Sequence, residues 1–130
     1  MKREGTLRGR GSFDRVFNRG YRTGGTLIQC MYLLEAPEQP VLRAGYAVSH
    51  KRFHAVRRNR IRRLMREAFR LESEPLRAAV EHHRVSADLV FMFRPKSDVH
   101  VERLTLQPVR SEIAGFCRRV RERIEQYDRA

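Results

Sequence analysis

Long apolar runs, cysteines and acidic residues are all scarce in this chain of 130 residues. The longest uninterrupted apolar runs are about five residues, far below the roughly 20 that span a bilayer. No apolar segment follows the first residues, Met1 to Gly5, so no signal peptide is predicted. We therefore expect a cytoplasmic protein that does not contact a membrane.

The two cysteines, Cys30 and Cys117, are far apart, and each lies within an apolar pattern. Such a pair neither forms a metal-ligand cluster nor suggests the disulfide framework of a small secreted protein. We expect both to be buried free thiols, without a partner that would make either one a nucleophile.

Acidic residues number 15 against 28 lysines and arginines, which gives a formal charge of +13. This charge predicts strong, salt-sensitive attraction to polyanions, while 41% hydrophobic residues argue against a wholly disordered protein. A metal-dependent nuclease requires two or more carboxylates that converge on the metal ions. The acids here are scattered and form no tight pair, so no metal site is predicted. The nuclease alternative would need a cluster assembled in space from residues such as Asp14, Glu35 and Asp88.

Positive charge is concentrated between Lys51 and Arg70, where nine Lys or Arg residues share twenty positions with one acid, Glu67. Within this stretch apolar residues recur at i, i+3, i+4, i+7 and i+8, which predicts a helix with one buried face. That face consists of Ile61, Leu64, Met65, Ala68 and Phe69. The opposite arc is predicted to carry Asn59, Arg63, Arg66 and Arg70, with Arg60 and Arg62 on its flanks.

The like charges on this predicted helix carry an energetic cost. Arg62 with Arg66, and Arg66 with Arg70, are i, i+4 pairs, each of which destabilises a helix by roughly a few tenths of a kcal/mol. An anionic partner would offset that cost, and arginine suits bidentate contact with phosphate oxygens. A basic face that is merely solvated is the alternative, but the density of one sign favours a nucleic-acid interface.

The order Arg58-Asn59-Arg60-Ile61-Arg62-Arg63, continued by Arg66-Glu67-Ala68-Phe69, closely resembles the signature helix of the bacterial ribonuclease P protein family. Weaker resemblances to that family lie in three further segments: Ser12 to Phe17, Gly45 to Lys51, and Asp88 to Pro95. The likeness runs in order from about Leu7 to the last helix. Two departures are His50, where the family often has Lys, and Phe53, where it often has Gly.

The residue patterns predict a single domain over residues 1–130, with residues 1–10 as a flexible basic arm. Its elements run in the order α, β, β, α, β, α, which is a mixed α/β (α+β) class with three main helices. The resemblance implies a two-layer sandwich of about four strands with a left-handed β-α-β crossover, similar to domain 2 of ribosomal protein S5.

Local signals place these elements along the chain. Ser12 is a candidate N-cap for a helix that ends near Gly20, and two strands, Leu27 to Leu34 and Ala44 to Ser49, are predicted to pair as a hairpin. The remaining predicted elements are the basic helix to about Glu72, a helical turn at Leu76 to His83, an interior strand at Ala87 to Phe93, and a last helix after Thr105.

By resemblance, the chain would be the protein subunit of ribonuclease P, a ribonucleoprotein endonuclease that hydrolytically removes the 5′ leader of precursor tRNA. The catalytic groups and most of the bound Mg²⁺ would lie on the RNA subunit, so no catalytic residue is expected on this chain. The partners implied are the catalytic RNA and precursor tRNA, and no protein partner is required. Residues expected to contact the catalytic RNA are Lys51, Arg52, Arg57, Arg58, Asn59, Arg60, Arg62, Arg63, Arg66 and Arg70.

The resemblance also implies a cleft for the single-stranded leader, lined by Phe13, Phe17 and the face of the central sheet. A family aromatic in that cleft corresponds to either Met31 or Tyr32, because a one-residue shift in register changes the match. On composition alone, Phe13 and Phe17 would be core residues. A ribosomal or other structured-RNA binding protein with no enzyme role is the alternative function.

Overall fold

A computed structural model describes residues 4–7 and 10–127, and over those residues the chain forms five strands and four α-helices. A single 3₁₀ turn at Val101–Arg103 precedes the last helix. In chain order the elements are β1 (Glu4–Thr6), α1 (Arg10–Arg19), β2 (Tyr21–Gly24), β3 (Ile28–Glu35), β4 (Leu42–Val48), α2 (Ala55–Glu72), α3 (Glu74–His83), β5 (Ser86–Phe93) and α4 (Leu106–Glu125).

The strands form one mixed sheet in the order β1-β4-β5-β3-β2. β4 is parallel to both β1 and β5, whereas β3 is antiparallel to both β5 and β2. The β-α-β crossover implied by the family resemblance therefore joins β4 to the adjacent strand β5 through α2 and α3. The predicted mixed α+β class is confirmed, with two short edge strands and one helix beyond the main elements that the sequence indicated.

The predicted hairpin between Leu27 to Leu34 and Ala44 to Ser49 is wrong, because β5 lies between the corresponding strands, β3 and β4, and pairs with both. Seven of the eight residues of β5 are buried, and the eighth, Met92, is half-buried. A strand so apolar on both faces belongs in the interior of a sheet, where both of its hydrogen-bonding edges are also satisfied. A β3–β4 hairpin would have left β5 at an edge, with a row of unpaired backbone groups.

The predicted flexible arm is also wrong for residues 4–7, while residues 1–3 and 8–9 lie outside the described part of the chain. β1 pairs in parallel with Leu42 to Ala44, and the Leu7 amide donates to the Ala44 carbonyl at 3.0 Å. The Leu7 side chain is buried. This short strand satisfies backbone groups on the otherwise open side of β4, which is a sufficient reason for the segment to be ordered.

Helices cover both faces of the sheet. The larger apolar cluster joins α2, α3 and α4 to one face, through side chains such as Ile61, Phe91 and Ile113. The second, smaller cluster lies on the opposite surface, hereafter the α1 face, where Val16 packs with Met31 and Val90. No helix among the described residues is long and apolar enough to cross a membrane.

Helix α1 lies so close to the sheet that its end requires glycine. A Cβ on Gly20 would lie 2.5 Å from the Val16 carbonyl oxygen and 2.7 Å from the Tyr32 carbonyl oxygen, both backbone atoms. The helix ends at Arg19, as predicted, but begins at Arg10 and not after Ser12. The glycine thereby fixes the height of α1 above β3.

Candidate nucleic-acid interface

Helix α2 has the two faces that its sequence predicted. Ile61, Met65, Ala68 and Phe69 are buried against the sheet and α4. The exposed arc on the opposite side consists of Asn59, Arg63, Arg66 and Arg70. We call Asn59, Arg62, Arg63, Arg66 and Arg70 the α2 cationic face, with Arg62 half-buried at its margin.

Arg60, which was predicted to contact RNA, is engaged within the protein. Its guanidinium group donates to the carbonyls of Val101, in the 3₁₀ turn before α4, at 3.3 Å and of Leu104, just after that turn, at 2.7 Å. Arg58 likewise donates to the Phe53 carbonyl at 2.8 Å. Local sequence patterns do not reveal the contacts of Arg60, because its two acceptors lie 41 and 44 residues away along the chain.

Two other predicted RNA-contacting arginines form surface ion pairs, Arg57 with Glu102 and Arg70 with Glu67. The side-chain hydrogen bond from Arg70 lowers the pKa of Glu67. Exposed pairs of this kind are weak and exchange readily for a stronger anion. They therefore leave Arg57 and Arg70 able to contact phosphate.

Arg66 is held by an aromatic ring. Its guanidinium carbon lies 5.6 Å from the centroid of the Tyr46 ring on β4, within cation–π range. Arg62 contacts Asn59 through a long hydrogen bond of 3.5 Å. Arg63 is exposed at the centre of the arc. The α2 cationic face thus presents its charge outward from a helix that is anchored by buried residues from Ile61 to Phe69.

The turn from Ser49 to Phe53 connects β4 to α2 and carries two more exposed cations, Lys51 and Arg52. It is closed by a hydrogen bond from the Phe53 amide to the Ser49 carbonyl at 3.2 Å. Phe53, which replaces the family's usual glycine, packs edge-on against Phe93 at 5.8 Å between ring centroids. Arg84 is the one described non-glycine residue with positive φ, so this turn reaches α2 without a left-handed residue at Phe53.

The predicted leader cleft corresponds to the α1 face. Phe13 and Phe17 are half-buried there, with ring centroids 6.5 Å apart, and both pack on the cluster that contains Met31. Met31 is only 1% exposed, so it forms the floor beneath α1. The half-buried rings each have one side in the core and leave part of their surface accessible.

Tyr32 is wrong as a cleft residue, because it lies on the other face of the sheet. It is 4% exposed within the larger cluster, and its ring centroid is 5.7 Å from that of Tyr21. Successive side chains in a strand point to opposite faces, so only one of two neighbouring residues can face α1. The register of β3 assigns that face to Met31.

A groove that the sequence did not reveal lies at the carboxyl ends of β4 and β5, where Ala47 and Met92 are aligned. It has a volume of about 380 Å³. Ala47 and Met92 also pack on the cluster beneath Phe13 and Phe17. This β4–β5 groove is lined by Ala47, Val48, Ser49, Arg52, Met92, Phe93 and Arg94. Alternation along β5 could have put Met92 on the same face as Val90, but the alignment with Ala47 depends on strand pairing.

A carboxylate from α4 fixes the loop beside this groove. Glu112 accepts hydrogen bonds from three successive amides, those of Thr26 at 3.1 Å, Leu27 at 2.9 Å and Ile28 at 3.0 Å. The carbonyls of the same loop accept the Arg94 amide at 2.7 Å and the Lys96 amide at 3.0 Å. Glu112 therefore holds, through one loop, the segment that carries Arg94 into the groove.

Replacing Glu112 by Ala should lower the free energy of unfolding by about 1–3 kcal/mol, because three amides lose a charged acceptor. Amide hydrogen exchange should accelerate at residues 26–28 and also at Arg94 and Lys96. Glu122→Ala, which removes an exposed acid from the same helix, is the control and should change neither quantity. Unchanged exchange at Arg94 and Lys96 would show that Glu112 does not hold this segment.

Of the three acids named for a possible nuclease site, Glu35 and Asp88 lie close together, but both are paired with arginine. Arg15 forms an ion pair with Glu35 and lies 3.6 Å from Asp88, and Arg43 makes two hydrogen bonds of 2.9 Å to Asp88. Asp14 is exposed. Over the described residues, no group of three or more His, Cys, Asp or Glu side chains is placed to hold a metal ion.

The two thiols are free and buried. Burial raises the pKa of Cys117 to about 12 and that of Cys30 well above its usual value. Both therefore stay protonated near neutral pH, a state in which a thiol is a poor nucleophile.

Comparison with known proteins agrees with this geometry. A family model described as Ribonuclease P matches residues 1–125. The chain belongs to the ribonuclease P protein family. The ribonuclease P protein component of Bacillus velezensis is 35% identical over 108 residues, covering 81% of this chain and 92% of the relative. That of Brevibacillus brevis is 33% identical over 122 residues, covering 93% and 86%.

Solved structures of family members share the fold. The ribonuclease P protein of Thermotoga maritima has a TM-score of 0.68 at 24% identity and covers 88% of this chain and 96% of its own. That of Staphylococcus aureus has a TM-score of 0.64 at 18% identity, covering 88% and 94%. The resemblance drawn from the signature helix is thus confirmed, and the family and relatives indicate a ribonuclease P protein subunit.

Proposed function

We propose that this chain binds the catalytic RNA of ribonuclease P through the α2 cationic face and holds the 5′ leader of precursor tRNA on the α1 face. The observation that carries this proposal is that the turn leading into α2 also lines the β4–β5 groove. Arg52 belongs to the turn that begins α2, and its side chain also lines the β4–β5 groove. One RNA assembly can therefore contact both surfaces at once.

The α2 cationic face suits a folded RNA. Its guanidinium groups neutralise phosphates that would otherwise repel one another where RNA strands approach closely. Because the helix is anchored by Ile61, Met65 and Phe69, the backbone positions of its arginines are fixed, and only the side chains need ordering on binding. This face supplies affinity and orientation for the catalytic RNA, and it contacts phosphates without reading sequence.

The α1 face suits a single strand. Phe13 and Phe17 offer partly exposed rings for stacking with bases, while Ala47 and Met92 extend an apolar floor into the β4–β5 groove. Arg52 and Arg94 line the same groove and can neutralise the strand's phosphates. Stacking on aromatic rings contributes roughly 1–3 kcal/mol per base and tolerates any sequence, as a subunit that processes many precursors requires.

The chemistry of leader removal belongs to the RNA partner in this proposal. The described acids form no metal-binding group, and the pair closest to one, Glu35 and Asp88, is neutralised by Arg15 and Arg43. The acids of the described part of the chain thus do not fit a Mg²⁺ site, and the Mg²⁺ that promotes hydrolysis would be bound mainly by RNA phosphates. The residues of this chain would bind both RNAs, neutralise their phosphates and orient the leader.

Leader binding would also favour release of the product. The mature tRNA has no 5′ leader, so it cannot occupy the α1 face, and its affinity for the complex falls relative to the precursor. The stacking free energy is then realised with substrate and lost with product. A precursor whose leader is too short to reach Phe17 would behave as the product does.

Phe17→Ala should reduce the preference of the reconstituted complex for precursor over mature tRNA by about tenfold, because one stacking partner is lost. Affinity for the catalytic RNA should change less than threefold, since Phe17 is not on α2. The measurement is the dissociation constant of both tRNA forms by filter binding in Ca²⁺, which slows cleavage.

Arg63→Gln serves as the matched comparison, since it should weaken binding of the catalytic RNA and leave the ratio of precursor to mature tRNA affinities unchanged. Equal losses for both tRNA forms with Phe17→Ala would contradict a leader role. A circular dichroism melt separates that result from unfolding.

A further inference from the structure

A second cationic and aromatic site lies at the β2 edge of the sheet, away from the α2 cationic face. It is a surface cavity of about 410 Å³, formed by the end of α1, the start of β2 and the end of α4. We call it the β2-edge cavity. Its lining consists of Arg19, Tyr21, Leu33, Leu34, Arg123, Gln126 and Tyr127.

Tyr21 gives this cavity an aromatic platform. The side chain is 55% exposed, which is unusual for a large aromatic residue. Its inner side packs on Tyr32, with 5.7 Å between the ring centroids. Tyr32 is itself buried in the core. The inner side of the ring is therefore held by the fold, and a group that stacks on the outer side takes the place of the Arg123 guanidinium, which lies over the ring.

Two arginines complement that ring. The guanidinium carbon of Arg123 lies 5.1 Å from the centroid of the Tyr21 ring, and Arg19 lines the cavity from the last turn of α1. An exposed ring flanked by planar cations matches a nucleotide, because the base stacks on the ring and the phosphate accepts hydrogen bonds from guanidinium groups. The half-buried Leu34, which packs on the same cluster as Tyr32, would exclude water from one side of the base.

We propose that the β2-edge cavity binds one unpaired nucleotide of an RNA strand, with the base stacked against Tyr21 and the phosphate held by Arg19 and Arg123. The volume falls within the usual range of ligand sites, roughly 300–1,000 Å³. A strand is favoured over a free nucleotide because the formal charge of +13 attracts a polyanion more strongly than a single phosphate. The recognition is by stacking and charge, so it is independent of sequence.

This cavity is separate from the α2 cationic face. The strand order puts three strand spacings between β4 and β2, which is roughly 14 Å. Arg66 of α2 contacts Tyr46 on β4, while the cavity begins at Tyr21 on β2. A nucleotide in the cavity therefore does not touch the α2 cationic face, and the two sites can be tested independently.

The first test locates the binding site by titrating the full chain with adenosine 5′-monophosphate and recording its amide signals by nuclear magnetic resonance. Amide signals of Tyr21, Arg123 and Gln126 should shift with saturation. Tyr21→Ala and Arg123→Gln should each weaken that binding about tenfold, whereas Tyr21→Phe should retain it because the ring remains. Arg118→Gln, an exposed arginine of the same helix outside this cavity, is the charge-matched control. Shifts confined to α2 would overturn the proposal.

The second test identifies the source of the nucleotide in the reconstituted complex. If Tyr21→Ala weakens binding only of precursor tRNA with longer leaders, the nucleotide comes from the leader. If it weakens binding of the catalytic RNA, the nucleotide comes from an unpaired segment of that RNA. If Tyr21→Ala weakens binding of neither RNA, the proposal is overturned. The proposed function still stands in that case if Arg63→Gln weakens binding of the catalytic RNA.

Discussion

Replacing Arg63 and Arg66 together by glutamine should lower the affinity for ribonuclease P RNA by about 100-fold at low salt. Each residue is exposed on α2, and each phosphate contact, as a hydrogen bond between charged groups, contributes about tenfold. The slope of log affinity against log salt should fall by about two units, one for each lost phosphate contact. The loss should therefore be largest in dilute salt and shrink as salt is added.

Arg60→Gln is the informative control for that experiment, because it removes the same charge from the same helix. Its side chain donates to the carbonyls of Val101 and Leu104, so its loss should lower the unfolding free energy by about 1–2 kcal/mol. The salt slope should change by less than half a unit. An unchanged slope in the double variant, or an equal change with Arg60→Gln, would contradict the assignment of the α2 cationic face.

The second large effect concerns Asp88, the buried acid that anchors α1 through charge. Asp88→Ala should lower the free energy of unfolding by about 2–3 kcal/mol, since two arginines lose a shared acceptor on the α1 face. Breaking a fully buried ion pair costs about 3–5 kcal/mol, but Arg15 and Arg43 are 39% and 37% exposed and recover some hydration. Urea denaturation, followed by far-ultraviolet circular dichroism, measures the difference.

Asp98→Ala removes an exposed acid and should change the unfolding free energy by less than about 0.5 kcal/mol. A double variant, Asp88→Ala with Arg43→Met, should be more stable than Asp88→Ala alone, because one stranded charge is removed with its partner. Asp88→Ala with the stability of the unaltered chain would show that this ion-pair group does not anchor α1.

Local patterns in the sequence predicted the two faces of α2 and the buried stripe of α4, because these patterns depend on neighbours a few residues apart. The buried stripe of Ile61, Met65 and Phe69 and the exposed position of Arg63 follow from helical periodicity alone. The same holds for the stripe of α4 from Val109 to Ile124. Where one element determines which side chain faces solvent, the sequence was sufficient.

Contacts between distant segments could not be read in the same way. The contacts of Arg60 within the protein depend on the carbonyls of Val101 and Leu104, and the choice of Met31 over Tyr32 depends on which face α1 covers. The groove at Ala47 and Met92 depends on strand register. In each case the residue could be picked out in the sequence, but its contact partner lies in a distant segment and could not be predicted.

The order of strands illustrates the same limit. Proximity along the chain favoured a hairpin of β3 and β4, yet β5, which follows two helices later, pairs with both. The nearly continuous run of apolar residues in β5 correctly predicted an interior strand. Combining that interpretation with the need to satisfy two hydrogen-bonding edges would have placed β5 between them.

Cleavage of precursor tRNA at low Mg²⁺ tests the central claim most directly, with four samples: buffer, this protein, a bacterial ribonuclease P RNA, and the two combined. Efficient removal of the 5′ leader only in the combined sample is the result expected of a protein subunit that assists a catalytic RNA. Cleavage by the protein alone would contradict the account and support a metal nuclease. If the protein adds nothing to the RNA, the account is equally contradicted, and a structured-RNA binding protein without an enzyme role becomes the better description.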